Sequence, residues 1–468
     1  MFSSFARSRG SRWLVGASCA LWCALALCAC GGGGWGTSSY RVGGTLSGLA
    51  AGQQVRLLNR GGDSLTLSAN GSFTFSQPMA PGSSYAVTVG AQPTYQQCTV
   101  ANATGVSWGA DVSNVAVTCA THYLYGTSSS ASTSAVLQYR IAGSGQLVAL
   151  GITSVPVGTT ANGAGGLVVD ATGNHVFVAS PGGSGTPGSL FEFGIDGSSG
   201  QLGALSPPSI TVPGSNATPY MLAASPTAGQ VYSANFASNT VSQYTIGSGG
   251  LLSVANTLPV GIRPAAVAVD PSGRYLYVAT SDGPPAHVFQ YTIGSDGTLT
   301  PMATPSLALA GATPRGIAIS PGGQWLYVAN FNNGASTGGS VNQFAIGADG
   351  ALTPMSPASL GVAGAPFSIV IDPTGSYVYA TDRTNSAVYQ FKVGADGSLA
   401  AMTPAAVTGG SLMTPQGIVV DPTGRFVYVA NAGSDTISQY AIASDGTLSS
   451  LSPATVTGAA GMSFLAVR

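Results

Sequence analysis

Apolar and polar positions in this chain recur in short runs, with the period of strands rather than of helices. Residues 415–451, PQGIVVDPTGRFVYVANAGSDTISQYAIASDGTLSSL, set the pattern. GIVVD is apolar on both faces and is closed by the turn residues Pro422, Thr423 and Gly424. RFVYVAN follows, rich in β-branched and aromatic residues, which favour a pleated, half-buried surface. TISQYAI makes a third strand. A fourth begins after Asp445-Gly446, a tight-hairpin signal because such a turn needs positive φ.

The third-strand run is spelled seven times: VLQYRI (136–141), LFEFGI (190–195), VSQYTI (241–246), VFQYTI (288–293), VNQFAI (341–346), VYQFKV (388–393) and ISQYAI (437–442). The first-strand run, as in GLVVDA, AVAVDP and GIVVDP, is found only six times before the end of the chain. At the start of the repeats, His122-Tyr123-Leu124-Tyr125 already reads as a second strand, and the missing first strand stands at the very end as SFLAV (463–467). That offset is what a closed ring requires. A four-stranded blade cannot bury both of its apolar faces alone, so blades stack around a channel, and one blade built from both chain ends shuts the circle. The expectation is an all-β protein whose residues 121–468 form a seven-bladed β-propeller closed by the C-terminal strand.

Residues 40–120 carry a different pattern. YRVGGTLS, QQVRLL, DSLTLS, SFTFS, YAVTVG, QCTVAN and NVAVTC are about seven short runs with turn clusters between them, which predicts a small immunoglobulin-like β-sandwich. Ahead of it, Arg7, Arg9 and Arg12 precede the apolar stretch WLVGASCALWCALALCA, the layout of a signal peptide over residues 1–29. The ending Leu27-Cys28-Ala29-Cys30 resembles the lipobox of bacterial lipoproteins. That resemblance implies lipidation at Cys30, a Gly/Ser tether over residues 30–39, and the outer membrane as destination, since Gly31 rather than Asp follows the cysteine. An uncleaved membrane anchor is the alternative. With Cys19, Cys23 and Cys28 in the signal segment and Cys30 lipidated, Cys98 and Cys119 remain as a pair expected to form a disulfide in an oxidising compartment.

Charged residues make up only 6% of the chain, against about 25% in an average soluble domain. The net charge of −1 gives no electrostatic reason to expect nucleic acid as a partner. Scarce charge also makes each charged side chain worth placing. Asp170, Asp270, Asp372 and Asp421 sit at first turns, and Asp196, Asp296, Asp349, Asp396 and Asp445 sit in the hairpins between third and fourth strands. Turn chemistry accounts for all nine, because Asp hydrogen-bonds its own backbone. Glu192, the only glutamate, stands at the repeat position held elsewhere by Gln138, Gln243, Gln290, Gln343, Gln390 and Gln439, which marks it as part of the blade rather than a catalytic acid.

A short set of charged groups falls at the opposite face, around the channel mouth. Arg263 and Arg315 lie just before first strands, Asp282, Asp382, Arg383 and Asp435 lie in loops between second and third strands, and His287 opens a third strand. The top of each first strand reads Gly165, Tyr220, Ala265, Arg315, Phe367, Gln416 and Met462, a mostly apolar ring suited to a small, weakly polar ligand or a peptide side chain. The ligand-binding candidates are Tyr220, Arg263, Arg315, Phe367, Arg383 and Gln416. There is no His/Asp/Glu cluster with metal spacing, no phosphate-binding glycine loop and no GxSxG elbow, so neither a metal nor another cofactor is expected.

RYLYVAT, QWLYVAN, SYVYATD and RFVYVAN, each following a D/S-P-x-G turn, resemble the seven-bladed lactonase-like propellers and the related YVTN repeats over roughly residues 121–468. The resemblance implies the fold strongly, and the chemistry less so, since these are packing residues. Where the lactonase-like first strand often opens with Pro-Arg-His, this chain has Pro314, Arg315 and Gly316. Binding of a small-molecule or protein ligand at the mouth is therefore expected ahead of catalysis, in a monomer that meets the membrane only through its lipid anchor. The alternative is a lactone hydrolase of the 6-phosphogluconolactonase-like family, with Arg315, His287 and Asp382 as catalytic candidates.

Overall fold

The computed structural model describes residues 39–129, 134–158, 163–183, 187–227, 229–281, 283–331, 338–409 and 412–468. The expected signal peptide, Cys30, most of the tether and Asp282 lie outside the described residues.

Seven four-stranded antiparallel sheets follow one another from residue 122. Blade 1 is built from both ends of the chain: Met462–Val467 lies innermost, followed by His122–Ser129, Ser134–Ile141 and Leu147–Pro156. Blades 2 to 7 run in simple chain order, with first strands Leu167–Val169, Pro219–Ala224, Pro264–Val269, Pro314–Ile319, Pro366–Ile371 and Pro415–Val420. Each first strand touches the first strands of both neighbouring blades, and the last of these contacts joins Met462–Val467 to Leu167–Val169. The ring is closed.

Between blades, apolar side chains interdigitate, and two polar devices and one packing contact recur. In blades 1, 4, 5, 6 and 7 the glutamine of the third strand reaches sideways: Gln439 Oε1 accepts from Leu147 N at 2.6 Å across the ring closure, while its Nε2 donates to Pro453 O at 3.1 Å in its own blade. The tyrosine of the second strand donates to a hairpin carbonyl of the next blade, as Tyr428 does to Gly145 O at 2.6 Å. The residue opening each second strand then lies over that hairpin glycine. At Gly145 (φ 86°) a Cβ would stand 2.2 Å from the Phe426 ring, so both the turn and the packing demand glycine.

The nine turn aspartates act on their own backbone. Asp421 Oδ1 accepts from Arg425 N at 2.7 Å and from Phe426 N at 2.6 Å, and the hairpin Asp445 accepts from Thr447 N at 3.0 Å. Lys392 is exposed on its third strand.

Residues 42–120 form two further four-stranded sheets that share one apolar core centred on Val55, Leu57, Phe75, Val115 and Val117. They contain eight strands. The one without a sequence signal, Thr104–Val106, has three residues, too few to establish a period. Cys98 and Cys119 are cross-strand partners in one sheet and are joined by a disulfide. This N-terminal module meets the propeller at the turns and hairpins on the side away from the mouth. Thr423 Oγ1, in the first turn of blade 7, donates to Gln97 Oε1 at 2.6 Å, and Gly143 N, in a blade 1 hairpin, donates to Thr94 O at 3.2 Å.

Candidate functional site at the propeller mouth

The mouth is set by a repeated irregularity. Pro219, Pro264, Pro314, Pro366 and Pro415 each face the last residue of the second strand, and the pairing slips immediately afterwards. Proline supplies no ladder donor, and a bulge re-aims the side chain that follows it. Those side chains are Tyr220, Ala265, Arg315, Phe367 and Gln416. The register corrects one member of the expected ring. Met462 pairs with Ser128 at the proline position and is fully buried, so Ser463 takes the ring position, its hydroxyl donating to Gly461 O at 2.8 Å. One residue of slip could not be seen in a strand that lacks the proline.

Aromatic rings pave this end of the channel. Tyr220 stands edge-on to Phe464 at 5.7 Å between centroids and tilted against Phe236 at 6.1 Å, and Phe331 meets Phe367 edge-on at 6.1 Å. Phe236 and Phe331 each follow the last residue of a second strand, and their amides donate to Thr218 O and Thr313 O, both at 2.9 Å. In blade 6 the same place is held by Arg383, whose amide donates to Ala365 O at 3.2 Å. Sequence reasoning missed Phe236, Phe331 and Phe464. A signal existed for two of them, since Ala-Asn-Phe recurs at 234–236 and 329–331.

Three guanidinium groups stand on this floor. Arg263 and Arg315 both lie 5.9 Å from the Phe236 centroid, and Arg383 lies 5.5 Å from that of Phe367, distances at which the ring quadrupole attracts a cation. Arg315 is half-buried and its Nε is shut away from water without a hydrogen-bond partner. None of the three pairs with a described carboxylate. Their charge is felt nearby: burial pushes the Tyr220 phenol up, and Arg315 and Arg383 pull it back down. Arg263 sits at φ 55°, a left-handed conformation uncommon for a residue with a side chain, held by Asn239 Oδ1, which accepts from its amide at 2.9 Å. The mouth is therefore richer in positive charge than the ring of first-strand residues alone implied.

The two other catalytic candidates are not brought to Arg315. Asp382 is fully buried and accepts from Ala365 N at 3.0 Å, Thr384 N at 3.0 Å, Asn385 Nδ2 at 2.8 Å and Tyr389 OH at 2.6 Å. These donors hold its carboxyl below the usual range despite the opposing effect of burial, which is the largest single influence. It clasps the loop after the second strand and is not placed to take a proton from a ligand. His287 belongs to the third strand of blade 4, its ring 6.3 Å from that of Phe289. That places it two strand spacings, about 10 Å, outside the innermost strand.

Gln416 is half-buried at the ring, and its carbonyl accepts from Thr381 Oγ1 at 2.7 Å. Beneath the ring the channel narrows to a cavity of about 130 Å³ lined by Gly166, Met221, Gly316, Ser368, Gly417 and Phe464. Pockets that engulf a small-molecule ligand run to roughly 300–1,000 Å³, so a ligand belongs on the rim and not in the bore. The constriction is made by backbone: a Cβ on Gly417 would stand 2.6 Å from Ser463 O.

Comparison with known proteins agrees with this architecture. The family model described as "Lactonase, 7-bladed beta-propeller" matches residues 247–360 and 355–464. The periplasmic gluconolactonase PpgL of Pseudomonas aeruginosa superposes with a TM-score of 0.60 at 19% identity, covering 74% of this chain and 99% of its own. A protein from Lactobacillus plantarum superposes with a TM-score of 0.59 at 21% identity, over 74% of this chain and 99% of its own. At such identities the likeness concerns the fold. No curated protein matches the chain. The closed ring of seven blades, with the family match over residues 247–464, makes the propeller of this chain similar to the seven-bladed lactonase propellers.

Proposed function

We propose that the propeller mouth binds a small organic anion and that the protein serves there as a binding platform without turnover. One observation carries the reading: Arg263, Arg315 and Arg383 stand against aromatic rings and pair with no described carboxylate. Guanidinium groups so placed suit a carboxylate, which they grip by bidentate, charge-assisted hydrogen bonds. The aromatic floor suits the apolar face of the same ligand. Acid–base catalysis needs a titratable group within hydrogen-bond reach of the reacting atoms. Asp382 is fully engaged elsewhere and His287 stands two strands out.

The setting we propose is the bacterial cell envelope, with lipidation at Cys30 and the two-sheet module, read as an immunoglobulin-like spacer, between anchor and propeller. The contacts of Thr423 and Gly143 with that module support a mouth directed away from the anchored end. The second reading is a lactone hydrolase. The family match over residues 247–464 and the retained Pro314-Arg315 pair favour it.

Calorimetric titration of the purified protein with D-gluconate and D-glucose tests the first reading. Gluconate is expected to bind at least tenfold more tightly than glucose, and Arg315→Ala is expected to remove that preference. Equal affinity for acid and neutral sugar would sink the anion site. Hydrolysis of sugar and aliphatic lactones well above the buffer rate, abolished in Arg315→Ala, would replace the platform by the hydrolase.

A further inference from the structure

A second polar concavity lies between the N-terminal module and the propeller, on the side away from the mouth. It is a groove of about 650 Å³ whose walls include Ala91, Thr94 and Tyr95 of the module, Ser144 and Gln146 of a blade 1 hairpin, and Arg425 of blade 7. Its volume falls within the range of small-molecule sites. No carboxylate is among the described residues that line it.

Arg425 is unusually placed for a cation. Its Nη2 makes one long hydrogen bond to Gly143 O at 3.4 Å, while its Nη1 is closed off from water with no partner. The guanidinium is braced by the Phe426 ring, 4.8 Å away. The second wall carries an aromatic face. Tyr95 is 41% exposed, and its ring is fixed from one direction by Arg140, whose Cζ lies 3.8 Å from the centroid and whose Nε is also buried without a partner. Arg425 lines the groove and pairs with no described carboxylate, which leaves its charge for an anion in the groove to meet.

We propose that this junction groove is a binding site for an acidic saccharide, a pyranose bearing a carboxylate. The carboxylate would accept from Arg425, the sugar ring would lie against Tyr95, and its hydroxyls would meet Thr94 and Ser144. The groove is independent of the mouth, since the two sites lie on opposite faces of the ring and share no residue.

The test is calorimetric titration of the full-length protein with D-glucuronate, D-glucose and inorganic phosphate, in an Arg315→Ala background that silences the mouth. One glucuronate is expected to bind there, at least tenfold more tightly than glucose or phosphate. Adding Arg425→Gln is expected to weaken it at least tenfold. Ala91→Trp, which fills the groove from the module side and leaves Arg425 in place, is expected to do the same, with thermal melting reporting that each variant folds. No glucuronate binding in the Arg315→Ala background overturns the proposal. So does binding indifferent to both groove variants, and phosphate binding as tightly as glucuronate overturns the saccharide assignment.

Discussion

Glu192 Oε1 accepts a hydrogen bond from Leu252 N at 2.9 Å, doing for blades 2 and 3 half of what glutamine does in blades 1, 4, 5, 6 and 7. The other half needs a donor. Gln290, Gln343, Gln390 and Gln439 each also donate from Nε2 to a carbonyl fourteen residues on in their own blade, at 2.9–3.1 Å. A carboxylate cannot donate, and Glu192 is only 1% exposed, so burial pushes its pKa up against the single bond from Leu252.

Glu192→Gln is accordingly expected to stabilise the protein by about 1 kcal/mol, the net worth of a neutral buried hydrogen bond. The sign with pH follows from linkage. A carboxyl whose folded pKa is raised binds its proton more tightly when folded, so its contribution is fully present below the unfolded pKa and is lost as pH rises through the folded value. Thermal melting from acid to neutral pH should show this decline in the parent and not in Glu192→Gln. A variant less stable than the parent at neutral pH would contradict the argument.

The ring closure should be sensitive to one amide. Gln439→Leu keeps the volume but leaves Leu147 N without its acceptor and Pro453 O without its donor. The expected cost is about 1–3 kcal/mol, the penalty for orphaning a buried backbone group. Chemical denaturation checks it, and hydrogen exchange of the Leu147 amide should accelerate with it.

Asp382 separates structure from chemistry. Asp382→Asn turns an acceptor-only group into one whose NH₂ faces Asn385 Nδ2 and Tyr389 OH in one amide orientation and Ala365 N and Thr384 N in the other, and it is expected to lower stability by about 2 kcal/mol. Anion binding per folded molecule should stay within twofold of the parent, because the carboxylate faces its own loop. A large loss of binding in fully folded protein would return Asp382 to the site.

The disulfide closes a loop between residues 21 apart in sequence, in a module with a small core of its own. The double substitution Cys98→Ser with Cys119→Ser is expected to cost about 2–4 kcal/mol, and the loss should appear in unfolding of the module before that of the propeller. Mass spectrometry of natively prepared protein should find no free thiol at either position.

How much of the site was legible depended on whether a residue belonged to the repeat. The displaced SFLAV run carries the closure, and the Gln series alone places Glu192 in the blade. Arg263, Arg315 and Arg383 were assigned to the mouth from strand order alone. The meeting of Arg315 with Phe236 is not legible, because blades 5 and 3 approach only through the curvature of the ring, and the contact of Arg383 with Phe367 inside blade 6 depends on a loop without a repeat signal. Met462 was misplaced by one residue because its strand lacks the proline that marks the register elsewhere.

Blade number, strand order and the joining of the two chain ends were thus determined by the sequence itself, since each blade repeats local patterns of period-two burial and turn chemistry that hold wherever the blade lies in space. The tertiary structure decided which side chains face one another across blades. It paired the guanidinium groups with aromatic rings, turned Asp382 inward and opened a groove between module and propeller. The groove and the meeting of Arg315 with Phe236 depend on distances between residues far apart in the chain, set by how seven twisted sheets close into a ring, while Asp382 and Arg383 find their partners inside blade 6 through loops whose conformation no repeat pattern encodes.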